Sequence, residues 1–196
     1  MGEEESQNPN RNPKFQIARA LARAKQSSVL LSTLMQSFFA NDNFLLHIYE
    51  AEHRLLYVDL YLLFDKDRSH LNLKRIINDN RHSLKDSDFN ELINNFEAIE
   101  NKYKGLISNV NYVGNAIIRH IDSKKISIIY GADFGKYALN MPKVENMIDD
   151  VVRLLKESHI FSNKVFQDFD YIVGQDQIVA ICNLEVQKPI KPFPNK

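Results

Sequence analysis

Residues 44–65, FLLHIYEAEHRLLYVDLYLLFD, decide the fold. On a 3.6-residue period their apolar side chains fall on almost every face, and the polar exceptions gather at 50–54 and at Asp59. A helix apolar nearly all round is the buried centre of a helical domain. The same stretch carries His47, Glu50, Glu52, His53, Arg54 and Asp59, too many charges for a bilayer span. Before it, Asn41, Asp42 and Asn43 have short polar side chains that accept the free amides of a helix start. After it, the polar run 65–69 ends the helix.

The flanking sequence continues the helical pattern. Residues 15–39 are rich in Ala, Leu and Gln and predict one long helix, or two broken near Ser27 and Ser28. Residues 71–80 predict a short amphipathic helix through Leu73, Ile76 and Ile77. Ser87 or Asp88 then caps a segment running to about Ile121, whose apolar positions Phe89, Leu92, Ile93, Phe96, Ile99, Tyr103, Leu106 and Ile107 step by three and four. Asn140 and Pro142 open a last helix with the stripe Val144, Met147, Ile148, Val151, Val152 and Leu155. ISIIYG (126–131) has strand character, but one strand without a partner is not stable. The six glycines and six prolines are few, and four of the prolines stand at 9, 13, 192 and 194. The expectation is an all-α bundle of five to seven helices. A flexible arm (1–13) precedes one domain (14–185), and an extended basic tail (186–196) follows it.

At 196 residues one core is the default arrangement, burying roughly 70% of the unfolded chain's surface. The 25 basic and 25 acidic residues cancel, which excludes a broadly basic coat for nucleic acid or for a membrane surface. Cys182 is the only cysteine, so neither an internal disulfide nor a thiolate cage forms. It reads as a small packed hydrophobe in a reducing compartment. The acidic, polar start has no apolar signal core, and the expected location is cytoplasmic.

Phosphate-cradling glycine loops and His-Glu-x-x-His are both missing from the sequence. His47, Glu50 and His53 are spaced by three and share a helix side. As metal ligands they need further donors from elsewhere. A polar stripe supported by the Glu50–Arg54 spacing is the plainer reading. Residues 109–125, NVNYVGNAIIRHIDSKK, gather Asn111, Asn115, Arg119, His120, Asp122, Lys124 and Lys125. Asn115 and Arg119, four apart, lie on one face, and His120 is rotated away from them. Such a set suits metal-independent phosphodiester cleavage. Histidine moves the proton of a 2′-hydroxyl or leaving oxygen, and arginine steadies the charge on phosphorus. A solvated helix end with cations near its negative terminus accounts for the same residues.

YVGNAIIRHID (112–122) resembles the motif of HEPN domains, an Arg followed after four to six residues by His, often as RNxxxAHxD. Asn115, His120 and Asp122 match its Asn, His and Asp. Upstream, LYVDLYLLFDKDRSHLNLKRII (56–77) looks like the abortive-infection AbiU-type branch, in which a buried helix ends in Leu-Phe-Asp and a short Leu-x-Arg-Ile helix follows. The resemblance covers roughly residues 15–170. It implies a helical domain that dimerises through its motif helices, without cofactor, and cleaves RNA as a toxin beside a nucleotidyltransferase-like antitoxin. On that reading Asn115, Arg119 and His120 are the catalytic group, and Asn111, Asp122, Lys124 and Lys125 contact substrate. Gly114 stands where the family has its Arg. Either Arg119 has taken over the phosphate, or the chain is a non-catalytic interaction or nucleotide-binding module. Gly114→Arg is then expected to show whether the missing Arg is limiting. The pair Arg75 and His82 fits the spacing formally, but it crosses a turn at 78–80.

Overall fold

The computed structural model describes residues 12–36, 43–65, 71–119, 138–161 and 166. Six α-helices and no strand occur among the described residues: α1 (Pro13–Gln36), α2 (Asn43–Phe64), α3 (Leu73–Asp79), α4 (Asp86–Lys102), α5 (Lys104–Arg119) and α6 (Met141–Glu157). A 3-10 turn, Arg81–Ser83, joins α3 to α4. This is the all-α bundle expected. ISIIYG, Cys182 and the tail from 186 lie outside the described residues, as does all of the arm except Asn12 and Pro13.

α1 starts one residue inside the expected arm. Asn12 accepts the Lys14 amide at 2.9 Å, and Pro13 occupies the first helical position, where its missing N–H costs nothing. The helix continues through Ser27 and Ser28 because both hydroxyls are satisfied. Ser27 donates to Glu52 at 2.6 Å, and Ser28 donates back to the Lys25 carbonyl at 2.8 Å. From Ile17 to Leu31 only Arg23 is exposed. Ala18, Ala20, Ala22 and Ala24 are buried on this helix beside Ile17, Leu21 and Leu31. The most enclosed helix is therefore α1. α2, expected at the centre, keeps an outer face on which Ala51, Arg54 and Leu55 are exposed. Alanine side chains are short enough for neighbouring helices to approach α1 closely on several sides.

Polar groups on α1 fix the register of both flanking helices. Arg23 donates to both oxygens of Asp59, at 3.0 and 2.6 Å, and Asp59 is 3% exposed. With Ser27 on Glu52, these pairs make α1 and α2 antiparallel. On the other side Lys25 meets Asp149 at 2.7 Å and Ser32 meets Glu145 at 3.2 Å, so α6 also runs antiparallel to α1. α6 is capped by Asn140, which accepts the Lys143 amide, and its predicted stripe is buried throughout.

The segment expected to run unbroken from 87 to about 121 is two helices. Lys85, not Ser87 or Asp88, is the capping position of α4, without a side-chain cap. α4 ends at Tyr103 (φ −108°, ψ 17°). The Tyr103 ring is buried, and its hydroxyl donates to Asp150 of α6 at 2.8 Å. Gly105, two residues on, favours helix poorly. Lys102 and Arg153 also reach Asp150, at 2.7 and 2.5 Å. Burial works against the Asp150 charge, yet hydrogen bonds from Lys102 and Tyr103 outweigh it and hold its carboxyl below the ordinary range. The bend lets α4 pack on α6 while α5 packs on α2.

Removing Arg23 leaves the Asp59 carboxylate buried and unpaired. Arg23→Ala is expected to lower stability by about 2 kcal/mol or more in urea unfolding. The double variant Arg23→Ala, Asp59→Leu should recover much of that loss.

Candidate functional site

The motif helix α5 lies on α2, and two contacts fix how. Asn111 donates through Nδ2 to the Phe64 carbonyl at 3.4 Å. Three residues on, the Gly114 backbone lies against Tyr61: a Cβ at 114 would sit 2.5, 2.6 and 2.8 Å from Tyr61 Cβ, Cγ and Cδ2. Advancing along α5 means retreating along α2, so the helices are antiparallel. At 1.5 Å per residue, Arg119 lies roughly 7.5 Å beyond Gly114 along the axis, toward the middle of α2. Gly114 is glycine because the helices touch there. Tyr61 is 4% exposed, and the atoms nearest the missing Cβ belong to the base of its side chain, which cannot swing away.

This contact corrects an expectation. No arginine fits at 114, so Gly114→Arg reports on packing and not on a missing catalytic group. Even Gly114→Ala is expected to lower stability by about 1–3 kcal/mol, visible as a fall in Tm with the helical circular dichroism retained.

Of the predicted site residues, the structure brings Asn111 and Asn115 together, one turn apart on α5 and both partly buried. Their Oδ1 atoms are buried and accept no hydrogen bond among the described residues. An unpaired buried acceptor carries a desolvation cost of roughly 1–3 kcal/mol, so these two oxygens are the polar strain of the region. Arg119 is the last residue of α5. His120, Asp122, Lys124 and Lys125 lie outside the described residues. Arg75 and His82 belong to a different part of the fold: Arg75 pairs with Asp79 at 3.7 Å on α3, and His82 is exposed in the 3-10 turn.

His47, Glu50 and His53 do not converge. His47 is exposed and meets Glu50 at 3.9 Å, whereas His53 is 3% exposed. Among the described residues no group of three His, Cys, Asp or Glu side chains is arranged to hold a metal ion. His53 instead stacks on Tyr49 (5.7 Å between ring centroids) and meets Tyr57 edge-on at 4.9 Å. Burial pulls its pKa down to about 4. The folded chain therefore keeps His53 neutral where an unfolded histidine, near 6.5, takes up a proton. The contribution is fully present above about pH 6.5 and is lost as pH falls toward 4. That loss is on the order of 3 kcal/mol by linkage. The pH dependence of urea unfolding should show it, and His53→Leu should flatten that part of the slope.

Tyr112, not singled out from the sequence, is 48% exposed on α5. Two open grooves lie away from these residues. One, of about 490 Å³, is lined by Ser32, Met35 and residues 138–142. The other, of about 310 Å³, runs between α4 and α6 past Lys102, Asp150, Arg153 and Glu157, whose charges cancel. No described helix is long and apolar enough to cross a membrane.

No family model, curated protein or solved structure significantly matches this chain.

Proposed function

We propose that this chain is a HEPN-like helical domain of a prokaryotic defence or toxin–antitoxin system that acts on RNA at the C-terminal end of α5. The observation that carries the reading is the form of α5. It runs unbroken from Asn111 and Asn115 to Arg119, with a sealed glycine at 114 and no carboxylate in its sixteen residues. Asn111, Asn115 and Arg119 thus share one helix that carries no charge repelling a phosphate, which supports the reading. In the cleavage reaction His120 accepts the proton of a ribose 2′-hydroxyl and that oxygen attacks phosphorus. The 5′-oxygen then leaves with a proton, giving a 2′,3′-cyclic phosphate and a 5′-hydroxyl. Arg119 steadies the charge gathering on the phosphoryl oxygens. Asn115 stands with them one turn before Arg119, Asn111 anchors the motif helix on the Phe64 carbonyl, and Asp122, Lys124 and Lys125 complete the contact with the strand. A cytoplasmic homodimer that joins two such helix ends, held in check by a nucleotidyltransferase-like antitoxin, completes the proposal. No cofactor is needed for this chemistry.

A second reading has its own observation. The family's Arg is absent, and the fit of Gly114 on Tyr61 leaves no room for one. That favours a helical interaction or nucleotide-binding module that has lost cleavage.

Incubating the purified protein with total RNA in a chelator separates the two. Fragments ending in 2′,3′-cyclic phosphate, lost in His120→Ala, are the expected result. Intact RNA, with the same growth inhibition by wild type and His120→Ala in cells, would leave only the second reading.

A further inference from the structure

We draw no further inference here: the strongest candidate, the apolar stripe of Ile48, Ala51, Leu55, Val58 and Leu62 along the outer face of α2, is a surface patch for which nothing among the described residues shows what covers it.

Discussion

Enclosing α1 imposes the demand that the rest of the bundle answers. Between Ile17 and Leu31 that helix carries Arg19, Arg23, Lys25, Gln26, Ser27 and Ser28, yet nearly all of it is covered by neighbours. A covered polar group must find a partner, since an unpaired one is far more costly than a paired one is favourable. The partners come from both flanking helices: Asp59 and Glu52 on α2, Asp149 and Glu145 on α6. Each pairing is compatible with only one register of its helix against α1. Apolar packing supplies most of the stabilisation, and the polar contacts select which packing is adopted.

Once α2 is held by Asp59 and Glu52, its remaining faces are assigned. Tyr57, Leu60 and Phe64 go to the core. Tyr61, one turn from both Tyr57 and Phe64, meets α5 so closely that only glycine can stand opposite it. The same restriction acts at the other end of the chain of contacts, where Asp150 gathers Lys102, Tyr103 and Arg153 and turns the α4–α5 segment at Tyr103. The candidate site inherits its position from both restraints. The turn starts α5 in the right place, and the glycine seam sets how deep it lies.

Much of this is legible in the sequence, and the exceptions have physical causes. The stripes of α3 and α6, and the cap at Asn140, follow directly from apolar spacing and a short polar residue before a proline. The identity of the central helix does not. Residues 44–65 look more hydrophobic than α1, but burial depends on how closely neighbours can approach, and alanine allows that without much hydrophobicity. The break at Tyr103 is hidden for a related reason, because the apolar period passes through it intact and its cause is a carboxylate 47 residues away. Gly114 illustrates the limit on reading a site. As a letter in a motif it is a missing arginine, and in the bundle it is a contact point. Nothing in the local pattern names Tyr61 as the other side of that contact.

A neutral chain can still offer an anion a place to bind if it separates its charges by element. Here the separation falls at the Tyr103 turn, with carboxylates collected on α4 and none on α5. The arrangement costs little in stability, because exposed helix charges contribute only fractions of a kcal/mol each. Its effect on the local field is larger. At physiological salt, fields are screened beyond about 8 Å, so the potential beside each helix is set chiefly by that helix's own residues. The inner face of α5 was fixed by packing, down to the glycine. The turn at Tyr103 thus separates an acidic helix from one whose only charges are Lys104 and Arg119.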